Sequence, residues 1–151
     1  MTIRKAKPND LNDLLKLYDH LREGLAWVKK APMHAGPAHK RALAQIIKDP
    51  RQHVLVIVER KKVVGTCTLY IMPRVYWSGH PFAILDSIVV GPEAQGKGLG
   101  SKLIKEAIKM AKKAGCTQVN LTSNTQRVRA HRFYESLGFE PSYVGFKLTF
   151  G

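Results

Sequence analysis

Acidic residues are scarce in this chain, with 11 Asp and Glu against 25 Lys and Arg and a formal net charge of +14. A field of that sign repels polycations, so a polyamine-like or aminoglycoside-like partner is disfavoured. It attracts polyanions and phosphorylated ligands. The basic residues run through all thirds of the chain, so a merely solvating role for them stays open. Cysteine is nearly missing too. Cys67 and Cys116 are the only two, too few for a disulfide framework and at no metal-ligand spacing. No metal is expected, and a reducing, cytoplasmic setting is. Long apolar runs are also lacking. The longest, Val54 to Val58, falls far short of a membrane span, so no membrane partner is expected. Met1 to Pro8 holds no apolar stretch after its positive charges, and no signal peptide is expected. With no repeat, low-complexity tract or dividing linker, the 151 residues suit a single domain, 1–151.

What is present alternates between strand and helix patterns. A short strand around Ile3 to Ala6 ends at Pro8. Asn9 can cap a helix in which Leu11, Leu14, Leu15, Tyr18, Leu21 and Leu25 recur at helical spacing. Trp27 to Pro37 is irregular, and a second helix carries Leu43, Ile46 and Ile47 and stops before Pro50. His53 to Glu59 and Val63 to Met72 read as a hairpin around Arg60-Lys61-Lys62. After a Pro73 to Pro81 loop, Phe82 to Val90 is almost continuously apolar, as in a strand covered on both faces. A helix from Gly98 to Gly115, a strand over Thr117 to Thr122, a helix from Arg127 to Leu137 and a final alternating strand, Tyr143 to Phe150, complete the reading. The order implies an α/β domain with a mixed sheet, in which a helical crossover joins a parallel strand pair.

Between the apolar strand and the third helix lies Gln95-Gly96-Lys97-Gly98-Leu99-Gly100-Ser101. Glycine lets backbone approach a ligand closely, and a helix N-terminus offers unpaired N–H groups to a phosphate. A tight turn with no ligand is the alternative. Two better-known phosphate motifs fail here. The dinucleotide fingerprint needs glycine where Ser101 stands. A P-loop needs a hydroxyl where Gly98 stands.

The segment Gln95 to Gly100, set after Val89-Val90 and Pro92, resembles the pyrophosphate motif of the GNAT superfamily of N-acetyltransferases. Ala130-His131-Arg132-Phe133-Tyr134-Glu135-Ser136-Leu137-Gly138-Phe139 is similar to that superfamily's second signature. The Val63-Val64-Gly65 hairpin fits as well, and the resemblance runs from about Ile3 to Phe150. It implies a mixed, mostly antiparallel sheet of about six or seven strands flanked by about four helices, with two central parallel strands splaying apart. It also implies acetyl-CoA as cosubstrate, held by backbone N–H groups of Gln95, Gly96, Lys97, Gly98, Leu99, Gly100 and Ser101. Ile88, Val89 and Val90 would run beside the pantetheine arm, and Tyr134 would face the thioester sulfur. Where many members of the superfamily carry an Asn against pantetheine, this chain has Arg127. Asn124 could replace it, or Arg127 could meet a phosphate or an acidic substrate, and the sequence leaves both open.

Acetyl transfer to an amine needs a polarised carbonyl, a neutral amine and protonation of the leaving thiolate. The resemblance makes the Val90 N–H the donor to the carbonyl. Asp86, the lone carboxylate of its strand, is the candidate base, with a pKa expected to rise on burial. A structural carboxylate is the equal alternative. Trp27, Tyr76 and His80 are candidates for the acceptor wall, and His131 has no assigned role. The expected partner is a small-molecule or peptide amine, and an acidic one suits the positive field. A homodimer is compatible with this reading. A CoA-binding regulator with a degenerate acceptor site is one alternative. A nucleic-acid module is another, but the aromatic residues are not interleaved with basic ones, so nucleic acid is not the expected partner.

Overall fold

The computed structural model describes residues 1–23 and 32–150. Two compact units are distinguished, one covering Met1–Asn120 and one beginning at Leu121.

The first unit is built on a sheet. Strand β1 (Thr2–Lys5) is followed by a 3-10 turn (Pro8–Asp10) and helix α1 (Leu11–Arg22). Helix α2 (Pro37–Lys48), strands β2 (Gln52–Glu59), β3 (Lys62–Met72) and β4 (Phe82–Val90), a second 3-10 turn (Pro92–Ala94) and helix α3 (Leu99–Lys113) come next. Strand β5 (Val119–Leu121) ends this unit and opens the second. The strand order is β1-β2-β3-β4-β5, and β1 to β4 pair antiparallel. Between β4 and β5, Thr117 N donates to Pro81 O and Ala83 N to Gln118 O. The two bonds advance in the same direction along both strands, as a parallel pair requires. The mixed sheet and the four helices agree with the expectation.

Alternation divides the core. Val54, Val56 and Val63 pack with Leu11, Leu14, Leu15 and Leu17 of α1 and Leu43 of α2. The intervening Leu55 and Ile57 are fully buried on the other face. That face is covered by α3, whose Leu99, Leu103, Ile104, Ala107 and Ala111 are buried and which packs on β2, β3 and β4. Each such side chain contributes about 1.5–3 kcal/mol relative to exposure, the small alanines less. The start of α1 is held by Asp10, which accepts from Lys7 N and forms a two-pronged pair with Arg4. The cap is therefore centred on Asp10 rather than Asn9. A carboxylate that accepts three hydrogen bonds secures both the helix start and β1.

Two expectations require correction. The described residues contain five strands, fewer than six or seven. The missing one is Tyr143 to Phe150, which takes no strand pairing. Its Tyr143, Val144, Phe146, Leu148 and Phe150 are all exposed. Alternation of apolar and polar side chains fixes which side of a strand is apolar, but a strand also needs a hydrogen-bonded neighbour. The second correction concerns Asp86, which is exposed. Strand β4 is thus not covered evenly on both faces.

In the second unit, helix α4 (Val128–Ser136) follows β5 and a turn. Gly138, at φ 91°, closes its C-terminus, where Phe139 N donates to Tyr134 O. This is the left-handed helix stop for which glycine is suited.

Candidate active site

The site begins with an irregularity in β4. Across the β3–β4 ladder, Thr66 faces Val89 and Thr68 faces Asp86. Cys67 therefore stands opposite two residues, Ser87 and Ile88. This is a β-bulge, and Ser87 carries it at φ 50°. The extra residue shifts the parity of the strand. Asp86 and Val89, three apart, both lie on the α1 side, and Val89 packs against the core cluster there. Nothing in the residue types signals this bulge, because serine has no preference for the left-handed region.

Beyond the bulge, β4 presents its edge. Gly91 N donates to Val64 O at 2.9 Å, so Val64 and Gly91 form a hydrogen-bonded pair. Antiparallel alternation then turns the N–H and C=O of Val90, opposite Gly65, away from β3. The carbonyl is taken by the side chain of Gln95, whose Nε2 lies 3.0 Å away. β5 starts its pairing beside Pro81 and stops at Leu121, so it runs out before Ile88. Ile88, Val89 and Val90 are half-buried. Ile88 to Val90 thus lie beyond the end of β5.

The glycine turn follows directly. Gly96 and Gly98 adopt φ 74° and 70°, and Gly98 caps α3 from the left-handed region. A Cβ at either would meet nothing within 4 Å. The need for glycine is therefore conformational, with space left over beside the backbone. Gln95 to Gly98 are exposed, and Gly100 and Ser101 are half-buried in the first turn of a 15-residue helix. That turn carries the unpaired N–H groups and partial positive charge of a helix start. An accessible left-handed pair of glycines at a helix start is the kind of feature that could hold a phosphate group.

Asp86 lies on the α1 face within a polar strip. Thr66, Thr68 and Tyr70 alternate along β3 on that face. Thr66 and Thr68 are buried, and Tyr70 is half-buried. Burial first, and then the charge of Asp86, pushes the Tyr70 phenol above its ordinary pKa. Tyr18 reaches in from α1 toward Thr66 and Thr68. Burial raises its pKa, against the lowering effect of the two threonines. By its spacing Tyr18 belongs to the apolar stripe of a helix. No spacing rule links it to β3.

The remaining candidates are distributed as follows. Tyr76 and His80 lie in the 73–81 loop and are exposed, far up β4 from the glycine turn. Arg74 organises that loop. Its guanidinium stacks 5.1 Å from the ring centre of Tyr76, 5.6 Å from Trp77 and 5.3 Å from Phe82, and it donates to His80 O and Thr117 Oγ1. Trp27 lies outside the described residues. Asn124, Arg127 and Tyr134 belong to the second unit. There Arg127 N donates to Asn124 O at 3.0 Å, and His131 Nε2 lies 2.8 Å from the same oxygen. Tyr134 is half-buried between the rings of Phe133 and Phe139, at 5.4 and 6.1 Å. A cavity of about 520 Å³ between α1 and α2, lined by Pro8, Leu11, Asn12, Lys40, Leu43 and Ala44, contains none of the candidates.

Comparison with known proteins gives the family. Residues 14–139 match the family described as the Acetyltransferase (GNAT) family. The chain is similar to a glucosamine 6-phosphate N-acetyltransferase of Trypanosoma brucei brucei, at 28% identity over 92% of this chain and 88% of that protein. It is 30% identical to an aminoalkylphosphonate N-acetyltransferase of Salmonella typhimurium, over 72% of this chain and 70% of that one. Among solved structures, a Bacillus halodurans protein described as a transcriptional regulator superposes with a TM-score of 0.90 at 31% identity, covering 99% of both chains.

Proposed function

Since this chain belongs to the GNAT acetyltransferase family and is an acyl-CoA-dependent acetyltransferase, we propose that it moves the acetyl group of acetyl-CoA directly onto a primary amine of a small molecule carrying a phosphate or phosphonate. The acceptor class is supported by the substrates named for two relatives and by a net charge of +14, which favours an acidic acceptor. The observation that carries the cosubstrate assignment is the accessible pair of left-handed glycines, Gly96 and Gly98, at the start of α3 beside the outward-turned edge of Val90.

In this reading, backbone N–H groups from Gln95 to Ser101 hold the pyrophosphate. The edge of Ile88, Val89 and Val90 aligns the pantetheine arm, and the Val90 N–H polarises the thioester carbonyl. Asn124 or Arg127 adds a contact to the cosubstrate. The amine nitrogen attacks the carbonyl carbon, forming the N–C bond as the C–S bond breaks. Asp86 takes the proton released by the amine, directly or through water. Tyr134 gives a proton to the departing thiolate. Tyr76 and His80 lie on the loop at the acceptor end of β4. A nucleic-acid reading would draw on the same positive charge and on the name of the Bacillus halodurans structure. The family match over residues 14–139 favours acetyl transfer, and that is the reading taken. The test is release of free CoA thiol from acetyl-CoA with glucosamine 6-phosphate and 2-aminoethylphosphonate as acceptors. Amine-dependent release supports the proposal, and its absence with both amines defeats the acceptor class.

A further inference from the structure

The far end of the α1 face carries a guanidinium held in place by aromatic rings. The register sets Thr68 across from Asp86, Tyr70 across from Ile84 and Met72 across from Phe82. Side chains two apart share a face, so Asp86, Ile84 and Phe82 form one row on the α1 side. None of that row is fully buried. Arg74 stands at its end, with its guanidinium 5.3 Å from the centre of the Phe82 ring. Tyr76 and Trp77 stack on the same group at 5.1 and 5.6 Å. The loop that supplies them is strained. Trp77, Ser78 and Gly79 adopt φ 62°, 55° and 72° in succession, a left-handed turn that side-chain-bearing residues avoid. His80 N closes the turn by donating to Trp77 O at 3.1 Å. Arg74 Nε donates to His80 O at 3.0 Å, and a terminal nitrogen donates to Thr117 Oγ1. A guanidinium has five N–H groups. The other three, all on the terminal nitrogens, meet no acceptor among the described residues, and no carboxylate there lies within ion-pair distance.

A planar cation that is stacked, oriented by two hydrogen bonds and without a carboxylate is arranged in advance for an anion. The oxygens of a phosphate or phosphonate match its fork two at a time. Because the rings already fix the plane of the group, little ordering is left to binding. We propose that Arg74 binds the phosphate or phosphonate of the acceptor, and that the open row between Arg74 and Asp86 carries the acceptor's body. The assignment rests on the acetyl transfer proposed above for its meaning, but not for its test. Asp86 and Phe82, four residues apart on the strand, are separated by about 13 Å of backbone, less the reach of the side chains at each end. A body of monosaccharide size, with its amine at one end and its phosphate at the other, suits that span. The proposal also gives a reason for a strained loop whose exposed Tyr76 and Trp77 converge on one arginine.

The test reads binding before catalysis. The chain has two tryptophans, so protein grown with fluorotryptophan gives two fluorine-19 signals, and Trp77→Phe identifies that of Trp77. The protein is titrated with glucose 6-phosphate, which has no amine to acetylate, and separately with glucose. The expected result is a saturable shift of the Trp77 signal with the phosphate and none with glucose. Arg74→Gln should weaken the phosphate Kd about tenfold or more, the loss of a hydrogen bond to a charged group. Arg74→Lys keeps the charge without the fork, so it should also bind more weakly than the parent, and it serves if Arg74→Gln does not fold. No saturable shift at Trp77, an equal shift with glucose, or an unchanged Kd in a folded Arg74 variant overturns the proposal whether or not acetyl transfer is observed. A shift that meets these expectations in a protein without acetyl transfer keeps the anion site and defeats only the reaction. Where glucosamine 6-phosphate is turned over, Arg74→Gln should raise its KM about tenfold or more and leave KM for acetyl-CoA near the parent value. A variant that loses melting temperature but keeps both KM values would show that Arg74 serves only the loop.

Discussion

Replacing Gly98 by Asn and by Asp separates backbone strain from charge at the glycine turn. Gly98 sits at φ 70° with open space where a Cβ would project, so neither side chain collides with its surroundings. Both substitutions carry the left-handed penalty, at most about 1–2 kcal/mol, and Asn and Asp are the residues best able to bear it. For a domain of this length that is a fall of roughly 2–4 °C in melting temperature per kcal/mol, similar for the two. The two differ in one negative charge. A carboxylate about 5 Å from a phosphate charge costs about 1 kcal/mol in water and about 3 kcal/mol at an effective dielectric of 20. Gly98 is exposed, which favours the lower figure. Calorimetric titration with acetyl-CoA should therefore give Gly98→Asp a Kd about 5- to 150-fold weaker than Gly98→Asn. The gap should shrink in 1 M salt, where screening acts within about 3 Å. Equal affinities for the two folded variants, or a gap indifferent to salt, would refute the placement of the pyrophosphate.

Other perturbations test separate links. Tyr134→Phe should lower kcat toward the low end of the ~10²–10⁴-fold range for a general acid, since a thiol of pKa about 8.5 leaves fairly well unaided. Acetyl-CoA affinity and melting temperature should stay near the parent values, and a destabilised variant with intact kcat would assign the hydroxyl to the fold. Asp86→Asn should reduce kcat/KM most at low pH, where the amine most needs a base, and a loss uniform across pH would mark a structural role. The Arg4 guanidinium holds the Asp10 carboxyl below its usual range, against the opposing effect of burial. A depressed folded pKa gives stability that is present above about pH 4 and is lost as pH falls through the depressed value. Asp10→Asn should cost about 1–3 kcal/mol at neutral pH, and thermal melts should show the difference from the parent closing below about pH 4. Burial pushes the Cys67 thiol up to about 12, and Cys67 is fully buried. A thiol-disulfide reagent should therefore label Cys116 alone in the native protein and Cys67 only after denaturation, and fast native labelling of both would contradict the core described here.

Much of this organisation was legible because it follows from local rules. Gly96 and Gly98 could be read from sequence because a left-handed turn into a helix selects glycine. The apolar stripe of α3 and the β2–β3 hairpin were readable because periodicity reports a buried face directly. Features that depend on partners were not readable. The bulge at Ser87 left no trace in composition, yet it puts Asp86 and Val89 on one face. Asp86 therefore reads from sequence as a buried carboxylate and is exposed in the fold. Tyr18 meets Thr66 and Thr68 only because α1 crosses β3, a tertiary contact with no spacing rule behind it. Tyr143 to Phe150 has the alternation of a strand, but pairing is a property of two segments and the pattern describes one.

In the proposed reaction, the edge of β4 and the turn into α3 bring acetyl-CoA to an amine beside Asp86. The most direct measurement is mass spectrometry of the products formed from acetyl-CoA and 2-aminoethylphosphonate, followed in parallel with release of CoA thiol. An amine heavier by one acetyl group on nitrogen is expected, formed mole for mole with free thiol and abolished by Gly98→Asp together with Asp86→Asn. Thiol release that proceeds equally without the amine, or no acetylated amine from a folded protein saturated with acetyl-CoA, would contradict it.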